Sequence, residues 1–126
     1  MHFTLDKQDK YVVVQLCEEK LNTLIAAELK SELLLLNTQG FNNIVVDLTQ
    51  SKYCDSSGLS AILVGNRLCR NANGFFGICG LNEPVLKLVQ ISQLDKVLNI
   101  TPTAAEAVEL ILSADTERVS ENIKNN

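Results

Sequence analysis

The stretch Asp55-Ser56-Ser57-Gly58 concentrates the residue types that could do chemistry in this 126-residue chain. A serine hydroxyl can act as a nucleophile, carry a phosphate, or accept a hydrogen bond at the start of a helix. The stretch follows the apolar run NIVVDL, residues 43–48, and precedes the helical pattern LSAILVGNRLCRNA, residues 59–72. Open α/β sheets place their functional groups at such strand-to-helix junctions.

Nucleophilic catalysis is one interpretation of the two serines, and the sequence argues against it. A hydrolase elbow has the pattern Gly-x-Ser-x-Gly and needs a histidine base. Cys54 stands where Ser56 would need the first glycine, and His2 is the only histidine in the chain. A cysteine nucleophile would lack the same partner. We therefore expect a protein that is not an enzyme.

Nucleotide, carboxylate and metal sites are also poorly matched. No Walker A or Gly-x-Gly pattern precedes the helix. Asp47 and Asp55 lie near strand ends and could form an acid pair or a phosphoacceptor site, but 5% aromatic residues leave little material for a sugar cleft. The four cysteines form no Cys-x-x-Cys pair, so we expect buried, reduced thiols and neither a metal nor a cofactor.

Two compatible interpretations of the serine stretch remain. Asp55 and the serines are good helix N-cap residues, and Gly58 would permit a close approach of the helix to a neighbour. Alternatively, a serine at a helix N-terminus is a favourable place for a phosphate, because the free N–H groups and the helix dipole stabilise negative charge. A phosphate adds roughly −1.5 to −2 charges and would switch binding with little conformational change.

Charge and composition limit the partners and the location. A net charge of −4, a pI near 4.9 and the absence of Trp disfavour a nucleic-acid partner. No apolar stretch approaches the ~20 residues that span a bilayer, so we expect no direct membrane insertion. The N-terminal segment has no signal-peptide pattern. These features predict a cytoplasmic protein.

The apolar patterning predicts an α/β fold with a mixed sheet of four to five strands and about four helices, mainly on one face. Asn22 or Thr23 can cap the first helix, in which Leu24, Ala27, Leu34 and Leu35 are expected to face the sheet. We predict a single domain over residues 1–113 and a polar C-terminal tail, 114–126, whose composition also permits disorder. The predicted strands cover residues 2–7, 10–16, 43–48, 75–81 and 95–100, and the predicted helices cover 22–40, 59–72, 82–92 and 101–113.

Three segments in this order resemble STAS domains, specifically the stand-alone anti-sigma factor antagonists: NIVVDL, SKYCDSSGLSAILVG and EPVLKLVQISQLDKVLNI. The resemblance extends from Phe3 to Leu112. It implies a single STAS-like domain. It also implies that Ser56 is phosphorylated by an anti-sigma factor with serine kinase activity, which the unphosphorylated form binds.

The same resemblance implies further partners and binding residues. A PP2C-type phosphatase would restore the unphosphorylated form, and the protein would be a monomer or a weak dimer. Asp55 would help to present Ser56 and would contact the partner. Ser57 matches an accessory hydroxyl position, while Gly58 and Leu59 would begin the helix that forms part of the docking face.

One segment departs from the family pattern. Many such antagonists carry Gly-Glu-Leu-Asp before the first helix, whereas this chain has CEEKLNT, residues 17–23, with no glycine and with Asn22 where an aspartate is usual. Asn22 is therefore a candidate contact that affects partner identity. The alternative function is a STAS scaffold or accessory subunit of a stress-signalling or lipid-transport complex without phospho-switching, in which Asp55 and Ser56 only cap a helix.

Overall fold

Strands and helices alternate along the chain in a computed structural model, which describes the backbone of residues 2–124 and the side chains of residues 2–114. The strands are β1 (Phe3–Lys7), β2 (Val12–Leu16), β3 (Lys20–Leu21), β4 (Ile44–Asp47), β5 (Tyr53–Cys54), β6 (Phe76–Cys79) and β7 (Asn99–Thr101). The helices are α1 (Thr23–Thr38), α2 (Ser56–Asn71), α3 (Glu83–Ile91) and α4 (Ala104–Lys124), with a short 3-10 helix at Leu94–Lys96.

A five-stranded mixed sheet in the order β1-β2-β4-β6-β7 forms the centre of the described chain. β1 runs antiparallel to β2, and the other pairs are parallel, so α1, α2 and α3 serve as crossover helices. This arrangement confirms the predicted fold class. The short strands β3 and β5 pair separately in parallel. They were not predicted, because a two-residue strand has no periodicity to detect.

The sheet is covered unequally on its two faces. Ile44 and Val46 of β4 belong to a large core that also contains buried residues of α1, α2 and α3. Val45 belongs to a smaller core on the opposite face, which it shares with Ala107 and Ile111 of α4. The apolar run in β4 is therefore buried on both faces, as predicted, and the helices lie mainly on one face.

The prediction of the buried face of α1 was wrong. Leu24, Leu34 and Leu35 are 65%, 47% and 49% exposed, and Ala27 is exposed as well. Because the run Leu33–Leu36 fits two neighbouring helical stripes, the sequence does not determine which stripe faces inward. The entry of the chain from β3 fixes the rotation of the helix. The residues that α1 buries are Ile25, Ala26, Leu29, Leu33 and Leu36.

The C-terminal elements also differ from their predicted bounds. The last strand is shorter than expected, because residues 94–96 form the 3-10 helix. The α4 backbone continues to Lys124, beyond the apolar pattern that ends near Ser113. Thr103 accepts a hydrogen bond from the Glu106 N–H at 3.2 Å, half of a capping box. The predicted tail lies largely outside the described side chains, and the domain division at residue 113 stays a prediction.

Candidate functional site

Two helix N-termini lie side by side at one end of the fold. Leu21 pairs with Cys54 in the small parallel sheet, so the next residues, Asn22 and Asp55, occupy equivalent positions. Each is an N-cap: the Asn22 side chain accepts a hydrogen bond from Ile25 N at 3.1 Å, and the Asp55 side chain accepts one from Gly58 N at 3.0 Å. The positive dipole ends of both helices therefore meet at one corner.

The hydroxyl groups that follow the two caps differ in their hydrogen bonding. Thr23 and Ser56 are the first residues of α1 and α2. Thr23 Oγ1 lies 3.3 Å from Ser57 Oγ, a hydrogen bond that links the two helix starts. The Ser56 side chain is exposed and makes no hydrogen bond to any residue that the structure describes. Of these three hydroxyls, Ser56 is the one that an approaching molecule can reach without breaking a bond.

A shallow groove runs between α1 and α2 beside these hydroxyls. Lys30, half-buried in α1, is its only ionisable lining residue, and no carboxylate of the described side chains lies within 4.0 Å of its ammonium group. The wall is otherwise neutral. It consists of Thr23, Ala26, Ala27, Ser56, Ser57 and Ser60.

The residues after the serines hold α2 in place. A Cβ atom on Gly58 would lie 2.5 Å from Cys54 Sγ and 2.7 Å from Leu21 Cγ, so glycine allows the helix to rest against β3 and β5. Leu59 is 6% exposed and belongs to the large core. Gly58 and Leu59 are thus buried below the corner where the two helices begin. At that corner Asn22 and Ser56 are exposed, and Asp55 and Ser57 are half-buried.

Hydrogen bonds join the loops that lead into the two helices. Ser51 is 1% exposed, and its hydroxyl donates to the Glu18 carbonyl at 2.8 Å. The Lys52 N–H donates to the Glu19 carbonyl, also at 2.8 Å. The Asn82 side chain, which follows β6, donates to the Ser51 carbonyl at 2.9 Å. These bonds fix the position of one helix start relative to the other.

The other acidic and basic candidates are engaged elsewhere. His2 Nδ1 lies 2.6 Å from a Glu18 oxygen, and His2 Nε2 lies 3.5 Å from a Glu28 oxygen. Asp47 accepts a hydrogen bond from Thr49 N at 2.9 Å, which closes the turn after β4. Within residues 2–114, neither His2 nor Asp47 contacts Ser56. No three His, Cys, Asp or Glu side chains in the described part of the chain could together hold a metal ion.

Cys54, the cysteine next to Asp55, is a poor nucleophile because its thiol stays protonated. Burial raises the pKa of the Cys54 thiol to about 12, and the charge of Asp55 adds to the effect. Burial likewise raises the pKa values of Cys69 and Cys79 to about 12. These three thiols are buried, as predicted, while Cys17 is only half-buried.

Sequence reasoning found the Asp55 cap and Ser56 but missed Thr23 and Lys30 as members of the site. The missing signal was the likeness of Asn22-Thr23 to Asp55-Ser56: each is a cap residue followed by a hydroxyl residue. That likeness becomes informative only once β3 and β5 are known to pair. Lys30 had no local signal at all, since it lies about two helical turns after the Asn22-Thr23 cap motif and on a different helix from Asp55-Ser56.

Comparison with known families assigns the fold to a class. The family model described as STAS domain matches residues 2–107. The chain belongs to the STAS domain family. No helix in its described part is both long and apolar enough to cross a lipid bilayer.

Relatives of this chain carry the name anti-sigma factor antagonist. A Bordetella bronchiseptica protein provisionally named anti-sigma factor antagonist BtrV is 30% identical over 104 residues, which are 82% of this chain and 86% of that protein. A provisionally named antagonist from Thermotoga neapolitana is 31% identical over 71 residues, 56% of this chain; the match spans 63% of that protein's length. The crystal structure of a provisionally named antagonist from Thermotoga maritima superposes with a TM-score of 0.77 at 28% identity, covering 86% of this chain and 93% of that one.

Proposed function

We propose that the protein is an anti-sigma factor antagonist whose binding is switched at Ser56. The unphosphorylated form binds an anti-sigma factor with serine kinase activity, phosphorylation of Ser56 releases that partner, and a PP2C-type phosphatase resets the switch. The observation that carries the proposal is the exposed hydroxyl of Ser56 at the first position of α2, which bonds to none of the described side chains. The names of the relatives support the class of function.

The proposed modification is a phosphoryl transfer in which this chain is the substrate and the partner is the catalyst. A bond forms between Ser56 Oγ and the γ-phosphorus of ATP, and the bond from that phosphorus to the β-bridging oxygen breaks. The hydroxyl proton passes to a base on the kinase, and ADP leaves. ATP as the phosphoryl donor is consistent with a cytoplasmic location.

The N-terminus of α2 can accept the product without unfolding. The first N–H groups of a helix lack intrahelical acceptors and point toward an anion at this position. Asp55 already accepts the Gly58 N–H, so the cap stays in place when Ser56 is modified. We therefore expect the phosphorylated and unphosphorylated forms to have the same conformation at the start of α2.

The phosphate would block docking by its charge and volume. A partner seated on this corner would have to desolvate roughly −1.5 to −2 additional charges next to Asp55. Asn22, Asp55 and Ser57 supply the polar contact surface for the unphosphorylated state. The buried Gly58 and Leu59 contribute by holding α2 in position.

The test uses the serine-kinase anti-sigma factor encoded in the same genome, with ATP and the full chain. We expect a single phosphate, mapped to Ser56 by peptide mass spectrometry and absent from Ser56→Ala. Ser92→Ala is the matched control, because Ser92 is an exposed serine at the end of α3, outside the groove, and its substitution should leave phosphorylation unchanged.

A binding measurement completes the test. Ser56→Ala should bind the kinase constitutively, and Ser56→Asp should bind at least about tenfold more weakly, a difference of about 1.4 kcal/mol. Phosphate at another residue, or unchanged binding by Ser56→Asp, would contradict the switch. Either result would favour the non-switching scaffold or accessory role.

A further inference from the structure

We propose that the groove between α1 and α2 is a binding site for the phosphate carried by Ser56, with Lys30 as its cation. The inference rests on the proposed phosphorylation of Ser56 and assigns a role to a residue outside the serine stretch. Lys30 would be a positioning residue that holds the phosphate against the protein.

The position of Lys30 allows the contact. Lys30 lies seven residues after Thr23, about two turns along α1, and it lines the same groove as Ser56 and Ser57. Long side chains on a helix lean toward its N-terminus. From this position the Lys30 side chain can reach back toward the corner where both helices begin and where Ser56 is exposed.

The charge of Lys30 is uncompensated in the described part of the chain. Lys52 lies 3.6 Å from a Glu19 oxygen and Lys87 lies 3.3 Å from a Glu83 oxygen, whereas Lys30 has no carboxylate within 4.0 Å. Lys30 is thus a half-buried cation with no close counter-charge in a chain whose net charge is −4. An anion in the groove would supply the missing counter-charge.

The groove also offers hydrogen-bond donors to a phosphate. The hydroxyls of Thr23 and Ser57, now bonded to each other, can rotate toward a phosphate oxygen. Charge-assisted hydrogen bonds to phosphate are stronger than a bond between neutral hydroxyls, so the exchange is favourable. Lys30 and Thr23 of α1 and Ser57 of α2 would then clamp the phosphate from both helices.

A cation in the same groove as the phosphate should stabilise the dianionic phosphate and lower its second pKa. The groups that act on the phosphate are Lys30 and the dipoles of α1 and α2, which lower the pKa, and Asp55, which raises it. Lys30 is the only one of these that can be removed without changing the cap. Its substitution therefore isolates the groove contribution.

The experiment places phosphoserine at position 56 by translational incorporation, so that no kinase is required, and follows the ³¹P resonance as a function of pH. Free phosphoserine has a second pKa near 6. We expect the phosphate pKa to lie about 0.5 lower in the parent protein than in Lys30→Met, a difference reduced by high salt. Lys87→Met, on α3, should match the parent.

Equal phosphate pKa values in the parent and in a folded Lys30→Met protein would overturn the groove site. Amide NMR spectra establish that the variant is folded, and Lys30→Gln replaces it if the methionine variant is not. The two proposals fail separately. A kinase that leaves Ser56 unmodified contradicts the proposed function whatever the pKa, whereas modification with no Lys30 effect contradicts only the groove.

Discussion

The N-termini of α1 and α2 are built alike and differ in what they expose. Lys20–Leu21 and Tyr53–Cys54 pair in parallel register, and the residue that follows each strand is a side-chain cap with a hydrogen bond of about 3 Å. In α1 the first hydroxyl, on Thr23, is bonded to Ser57, while in α2 the first hydroxyl, on Ser56, bonds to no residue that the structure describes. The cap itself is therefore common to both helices. The feature specific to α2 is an unbonded hydroxyl on a firmly seated helix.

The third helical position explains why α2 is seated so closely. α1 has Ile25 at this position, a side chain that fills the core, whereas α2 has Gly58. The glycine brings the α2 backbone into contact with Leu21 and Cys54. The α2 start is consequently packed closely against β3 and β5, and the α1 start next to it shows a cap without that close approach.

Among the variants that test the difference between the two helix starts, Gly58→Ala should have the largest effect on the free energy of unfolding. Its Cβ would approach Cys54 Sγ to 2.5 Å and the Leu21 carbonyl oxygen to 2.9 Å, so α2 would have to move away from the small sheet. We expect a loss of about 1–3 kcal/mol in the free energy of unfolding, despite the better helix propensity of alanine. Urea unfolding measures the loss.

A double-mutant cycle with Cys54→Ala provides the control for Gly58→Ala. Removal of the Cys54 sulfur should reduce the cost of the added methyl group, and the two substitutions should couple favourably. Ser60→Ala, exposed on the same helix, should change stability by less than about 0.5 kcal/mol. An unaltered stability of Gly58→Ala would mean that α2 is not held by close packing.

An intermediate effect is expected from removal of either cap. Asn22→Ala and Asp55→Ala should each lower the free energy of unfolding by about 1 kcal/mol, because each leaves one helix N–H without its acceptor. Asp55→Asn, which makes the α2 start resemble that of α1, should cost only a few tenths of a kcal/mol. Thermal and urea unfolding of the three variants test the equivalence of the two caps.

A much larger loss for Asp55→Ala than for Asn22→Ala would break the equivalence. It would show that the Asp55 charge, and not only its hydrogen bond to Gly58, stabilises the fold. Similar losses of stability in Asn22→Ala and Asp55→Ala would mean that the two helix starts differ in their hydroxyls and not in their caps.

The smallest effects should come from the hydroxyls themselves. Ser56→Ala should change stability by less than about 0.5 kcal/mol, since its hydroxyl has no partner in the described structure. Thr23→Ser is the matched variant that keeps the bond to Ser57, and Thr23→Ala, which removes the bond, should cost slightly more than Ser56→Ala. Chemical denaturation of the three proteins measures the order. A Ser56→Ala loss above about 2 kcal/mol would give Ser56 a structural role instead.

Local patterns in the sequence predicted several elements correctly. The run NIVVDL became the doubly buried β4, and the Asp-Ser-Ser-Gly stretch became a capped helix start. The face of α1 was mispredicted, because its leucines fit two stripes and only packing selects one. The strands β3 and β5 were missed because they are defined by each other and not by a pattern of their own.

By itself, the sequence determined the local chemistry of this protein: cap residues at two helix starts, a buried central strand, and a serine stretch without the glycine pattern of a hydrolase elbow. These follow from neighbours within a few residues. Only the tertiary structure decided that Lys20–Leu21 meets Tyr53–Cys54, 33 residues later, which places the two caps together. The Thr23–Ser57 bond and the position of Lys30 beside Ser56 follow from that pairing. They depend on helix rotation and contact across the chain, which a one-dimensional pattern does not contain.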